Sequence, residues 1–187
     1  VTFIDNHDMA RFLGAGTLEK YYSHLKLAYV FMMTYPCVPV IYYGTEQGFD
    51  GGSDPWNRED MWDGQWDYGP SKGDNFNKSH QLYKFMKEIN DKLDENKFIR
   101  TGSFKEILSS SEAGTYAYAR YSSDSEAVIV LNNSNNAKLF TFNKVLNLQS
   151  DSGLYNLLNI NDVIFPDNDK IYTVNLDGLS YKIYVSK

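Results

Sequence analysis

Two apolar runs without a single charge, "VTFI" at residues 1–4 and "VPVIYYG" at 38–44, are separated by one long helical pattern. Apolar runs that do not alternate suit strands covered on both faces, as in parallel sheets. Parallel neighbours need a long crossover between them. "TLEKYYSHLKLAYVFMMTY" supplies it: Leu18, Tyr22, Leu25, Tyr29 and Met32 recur at spacings of three and four, Thr17 is a candidate cap, and Pro36 closes the helix. A second helix reads from "SHQLYKFMKEINDKL", with Ser79 as cap and Leu82, Phe85, Met86, Ile89 and Leu93 on the buried face. The first half is therefore strand, helix, strand, helix.

The pattern changes after Asn96. "GSFKEIL", "GTYAYARY", "EAVIVLNN", "AKLFTFN", "KIYTVNL" and "YKIYVSK" are short strand-like segments divided by Gly, Ser, Asn and Asp turns. They predict an antiparallel sheet unit. The fold class is α/β followed by all-β, with an expected boundary between residues 1–96 and 97–187.

Composition excludes several classes. With 187 residues and 42% apolar content the chain can bury a sizeable core. A net charge of -6 without a basic block gives no surface for nucleic acid or anionic membrane. The apolar stretch near residues 29–33 is far too short to span a bilayer. Cys37 is the sole cysteine, so no intrachain disulfide framework forms. The chain opens on Val1 with no charged, apolar leader, which reads as a mature piece or a fragment. The 15 Tyr, 11 Phe and 3 Trp fit either a ring-rich core or sugar-stacking faces.

Polar residues crowd the C-terminal ends of both strands, where α/β folds bind ligands. Asn6, His7 and Asp8 follow the first; buried together they would need partners, and Arg11 is near enough to be one. The competing reading is a polar turn with local hydrogen bonds. Glu46 follows the second strand. Asp54 and Arg58 flank Pro55 in "GGSDPWNRE", where Arg58 offers a planar donor fork. No regular set of oxygen ligands for a metal is visible there. His24 and His80 read as structural or exposed, and Cys37 has no neighbouring base to make it a nucleophile. Trp56, Trp62 and Trp66 lie in the long irregular stretch from Thr45 to about Asn77; local core is the favoured reading, sugar stacking the alternative.

"FIDNHDMARF" resembles the fourth conserved region of the α-amylase family of glycoside hydrolases. "VPVIYYGTEQGFDGGSDPWNREDMW" resembles that family's eighth barrel strand and following loop, at the family's spacing, and "DGQWDYGPSKGDNFN" resembles the loop's continuation in bacterial members. The terminal sheet region is similar to the family's domain C. The resemblance implies the last part of a (β/α)8 TIM barrel plus an antiparallel β-sandwich. It implies retaining cleavage of α-1,4-glucans such as starch. Asp8 would be the transition-state stabiliser that holds hydroxyls 2 and 3 of the sugar at the cleavage point. His7 would bind the same sugar, Asn6 would steady the carboxylate shell, and Asp54 and Arg58 would contact the next glucose.

The sequence departs from the family in lacking the motifs of the nucleophile Asp and the acid/base Glu, which belong to barrel strands four and five. Retaining chemistry needs both, so this chain alone is expected to be inactive. Expected partners are an α-glucan and either an upstream portion of the same barrel or a second copy at the open barrel edges. Within the family a plain hydrolase is the favoured reading, with a cyclodextrin-forming or other α-glucan transglycosylase as the alternative. A non-catalytic glucan-binding protein is the rival outside enzymes. No cofactor is expected in this chain, calcium is an inherited expectation for the complete enzyme, and the setting is expected to be extracellular or periplasmic.

Overall fold

In a computed structural model, which describes residues 1–14, 21–62, 75–146 and 152–186, helices α1 (Tyr22–Thr34) and α2 (Gln81–Glu95) carry the stripes the spacing predicts. On α1, Tyr22, Leu25, Tyr29 and Met32 are buried; on α2, Leu82, Phe85, Met86, Ile89 and Leu93 are. Each such side chain contributes about 1.5–3 kcal/mol through removal from water. The two helices meet where the Tyr29 and Phe85 rings lie edge to face at 5.7 Å, and Asn90 Nδ2 donates to the Tyr29 hydroxyl at 2.9 Å. Thr17 and Leu18 lie outside the described residues.

The cap of α2 differs from the expected one. The helix begins at Gln81, so His80 holds the cap position. Its Nδ1 accepts from the Leu82 N–H at 3.3 Å and also lies 3.0 Å from the Glu46 carbonyl. Ser79 sits one residue too early, with its N–H on Asn77 Oδ1. His80 is thus structural, as the sequence suggests.

The two apolar runs are parallel neighbours, joined at a bridge between Thr2 and Pro39. Thr2 N donates to the Val38 carbonyl, and Val40 N donates to the Thr2 carbonyl, both at 2.9 Å. They are not the buried strands expected. The pairing is a single bridge, and Val1, Phe3, Val38, Val40, Ile41 and Tyr43 are all exposed. A parallel strand is buried only where helices cover both faces of its sheet and further strands flank it. Among the described residues each segment has one neighbour.

The chain forms two compact units, one of Val1–Met33 with Cys37–Asn90, the other of Thr34–Pro36 with Asp91–Lys187. The second opens with the short helix α3 (Phe98–Thr101) and is otherwise antiparallel sheet. Strands β1 (Ser103–Ser110), β2 (Thr115–Tyr121), β3 (Glu126–Asn132), β4 (Lys138–Phe142), β5 (Leu154–Asn156), β6 (Asn159–Ile164), β7 (Tyr172–Leu176) and β8 (Ser180–Ser186) follow. A six-stranded sheet runs β1-β2-β3-β8-β5-β6, and β4 pairs with β7 in a second sheet. Ala117, Val128, Val130, Leu154 and Tyr184 of the first sheet pack with Phe140, Phe142, Tyr172, Val174 and Leu176 of the second. This is a sandwich core. The architecture is α/β followed by all-β, the last part of a (β/α)8 barrel plus an antiparallel sandwich.

Candidate functional site

The chain leaves the Thr2 bridge and turns sharply. Asp5 is buried and accepts from the Phe12 N–H at 3.0 Å, closing the turn from below. Burial raises the Asp5 pKa, against the pull of that N–H and of the Arg11 charge. At the top of the turn Asn6 Oδ1 accepts from the Asp8 N–H at 2.8 Å. His7 Nε2 lies 3.2 Å from Asp8 Oδ1, and both side chains are open to solvent at 64% and 72%. Asp8 is therefore an exposed carboxylate with an imidazole beside it, an arrangement that can accept from one or two hydroxyls.

The loop beyond the second bridge segment comes to meet this turn. Asn57, fully buried, donates from Nδ2 to the carbonyls of His7 and Met9 at 2.8 Å and reaches that of Asn6 at 3.3 Å. Arg58 Nε donates to the His7 carbonyl at 3.2 Å, and its Nη2 pairs with Asp54 Oδ1 at 3.0 Å. Asn6, His7, Asp8, Asp54 and Arg58, singled out from the sequence, thus belong to one linked cluster.

Arg11 is not the partner of the Asn–His–Asp group that the sequence suggests. It is buried, and its Nε donates to Glu59 Oε2 at 2.9 Å and its Nη1 to the Tyr43 carbonyl at 2.6 Å. Its guanidinium lies 3.9 Å from the centre of the Tyr42 ring. The flat, weakly hydrated cation is held between a ring face and a carboxylate below the site. Glu59 Oε1 accepts the N–H groups of Asp50 and Gly51 at 2.9 and 2.7 Å, and the Arg11 N–H donates to the Gly51 carbonyl. A Cβ at Gly51 would stand 1.8 Å from the Trp56 carbonyl, so only glycine permits this crossing. Burial pushes the Glu59 carboxyl above its ordinary pKa, opposed chiefly by the Arg11 charge. The Tyr43 hydroxyl donates to the Glu59 carbonyl at 2.6 Å, and although the residue is 41% exposed, partial desolvation, with Tyr42 beside it, pushes its pKa up to about 12.

Other candidates have quieter places. Glu46 sits half-buried in a 3-10 turn, Thr45–Gln47, beneath His80. His24 is half-buried against Tyr21, and the Cys37 thiol donates to the Met32 carbonyl. Trp56 and Trp62 are not the local core expected: they are 48% and 61% exposed, Trp62 edge to face with Phe76 at 5.3 Å. The bonds that tie their loop down come from Asn57, Glu59 and Asn75 instead. Trp66 lies outside the described residues. Among the described residues no group of three or more His, Cys, Asp or Glu side chains is arranged to hold a metal ion. No helix among the described residues is long and apolar enough to cross a membrane.

The family model for the alpha amylase catalytic domain matches residues 1–101. The chain belongs to the alpha-amylase family. It is 34% identical to a beta/alpha-amylase of Paenibacillus polymyxa over 97% of this chain and 14% of that protein. It is 33% identical to a cyclomaltodextrin glucanotransferase of Thermoanaerobacterium thermosulfurigenes, over 71% of this chain and 16% of that one. The crystal structure of an Anoxybacillus alpha-amylase superposes with a TM-score of 0.76 at 26% identity, covering 98% of this chain and 37% of that one. The chain thus spans a minor part of the length of each of these relatives.

Asn57 and Glu59 carry much of the cluster's geometry and do not stand out in the sequence. The His7 carbonyl that Asn57 binds and the Arg11 guanidinium that Glu59 binds lie 50 and 48 residues away. The available signal is their place in "DPWNRED", beside residues that do stand out.

Proposed function

We propose that the protein containing this chain is a retaining enzyme of α-glucans, and that this chain supplies the part of the site that holds sugar hydroxyls. The observation that carries the reading is the solvent-open Asp8 carboxylate, 3.2 Å from His7 and tied through the turn to the Asp54–Arg58 pair. Asp8 accepts from hydroxyls 2 and 3 of the sugar at the cleavage point. That sugar flattens as it approaches an oxocarbenium-like state, and a carboxylate placed for the flattened ring binds it more tightly than the resting one. His7 hydrogen-bonds the same sugar, Asn6 holds the turn, and Asp54 with Arg58 takes the neighbouring glucose. The nucleophile and the acid/base come from outside this chain. Barrel strands beyond the two segments joined at Thr2 and Pro39 cover the apolar side chains exposed there.

The relatives favour one finer reading over the plain hydrolase. Cyclomaltodextrin glucanotransferases of several bacteria match at 33–35% identity. They support a glucan hydroxyl, rather than water, as the acceptor of the glycosyl group. A polymeric substrate too large to import goes with an extracellular or periplasmic setting. The test is to incubate the intact protein with soluble starch and separate the products by chromatography. Cyclic or rearranged oligosaccharides are the expected result. Linear products alone would return the reading to a hydrolase, and starch bound but unchanged would make the protein a non-catalytic glucan binder.

A further inference from the structure

We infer that Asn57 is a positioning residue, whose side-chain amide fixes the turn of residues 6–9 and so sets where Asp8 and His7 stand relative to Asp54 and Arg58. This rests on Asp8 being the carboxylate that holds the sugar hydroxyls. Asn57 is 0% exposed. The two hydrogens of its Nδ2 serve three carbonyls, those of His7 and Met9 at 2.8 Å and that of Asn6 at 3.3 Å. Three acceptors on one side leave the amide a single orientation. Its Oδ1 is buried with no partner among the described residues. A buried amide that leaves its acceptor unused is costly. An apolar residue would fill the same space without that cost, so it is the donor that the position requires.

The other contacts to the turn are weaker ties. Arg58 Nε reaches the His7 carbonyl at 3.2 Å, but from an exposed side chain. Asn6 Oδ1 braces Asp8 N only within the turn itself. Asn57, by contrast, is anchored two residues from Glu59, whose carboxylate is held by Arg11, Asp50 and Gly51. The amide thus carries the rigidity of the buried pair up to the turn that bears Asp8, while Arg58, its neighbour in sequence, pairs with Asp54 at the surface.

The test is a double-mutant cycle in the intact protein, read as kcat and KM on an activated aryl maltooligosaccharide. Asn57→Asp keeps the side chain's shape and replaces two N–H donors by a carboxyl that offers at most one O–H to three carbonyls. It should lower kcat about 100-fold, the scale of a small misplacement of a reacting group, with KM changed less than about threefold. In an Asp8→Asn background the same change should lower kcat less than about twofold, since no carboxylate remains to be positioned. Equal losses in both backgrounds would show a role in folding only, and an unchanged kcat in Asn57→Asp alone would show that the turn holds itself. Either result overturns the inference. Near-native turnover by Asp8→Asn would instead overturn the reading of Asp8. If Asn57→Asp does not fold, Asn57→Leu, which keeps the bulk and has no donor, replaces it in the same cycle, judged by the same two comparisons.

Discussion

Arg11 and Glu59 sit side by side at 0% and 6% side-chain exposure, with Tyr42 stacked on the cation. Removing one charge of a buried pair leaves the other desolvated and uncompensated. Glu59→Gln keeps an oxygen for Asp50 and Gly51 but strands the guanidinium. It should destabilise the intact protein by about 3–5 kcal/mol in urea unfolding. A loss below about 1 kcal/mol would mean that the Tyr43 carbonyl and the rings hold Arg11 without it. The sequence offered Arg11 a nearer partner in Asp8, and the fold chose the distant one. Chain proximity says little about a side chain that turns inward. The residues of the exposed cluster were legible only through the motif that carries them, because His and Asp in a polar turn have no distinguishing physics of their own. Asn57 was illegible because its work is done on backbone carbonyls 48 to 51 residues away.

Among the elements, the helices were readable because burial imposes a spacing of three and four on their apolar residues, and α1 and α2 bury those positions. The sandwich strands β1 to β4, β7 and β8 were readable for the same kind of reason. Strands β5 and β6 were not: β5 has three residues, and β6 reads "NINDVI", with the Asn and Asp that ordinarily mark turns. Side-chain pairing stabilises them instead. Asp162 accepts from Asn156 at 2.9 Å and from Tyr184 at 3.1 Å, and pairs with Lys182 at 3.0 Å. Burial works to raise the Asp162 pKa, but the hydrogen bonds from Asn156, Lys182 and Tyr184 together bring it below its ordinary value of 3.8. A carboxyl held low stabilises the fold above its unfolded pKa, and this stability is lost as pH falls through the folded value. The wild-type protein should therefore lose thermal stability between about pH 5 and pH 3 more steeply than Asp162→Asn does. Parallel pH profiles of the two midpoints would contradict the role of Asp162.

At the scale of the whole molecule, the first unit presents an open arrangement. A single parallel bridge joins the segments at Thr2 and Pro39, and Val1, Phe3, Val38 and Val40 face solvent beside it. The apolar runs predict strands with covers on both faces, and on the proposed reading that cover comes from chain other than the described residues. The same holds for the chemistry. A carboxylate that holds hydroxyls cannot by itself form a glycosyl intermediate and protonate a leaving oxygen, since retention needs a nucleophile and an acid facing one another at about 5 Å. Loss of the iodine colour of soluble starch, which follows glycosyl transfer to water and to glucan hydroxyls alike, tests this division of labour: the intact protein, its Asp8→Asn variant and the isolated 187-residue chain are compared at equal concentration. The expected result is turnover by the intact protein, a loss on the order of 10²–10³-fold in Asp8→Asn, and none from the isolated chain. Near-native turnover by Asp8→Asn would contradict its role in holding the sugar, and clear turnover by the isolated chain would contradict the need for a nucleophile and an acid from outside it.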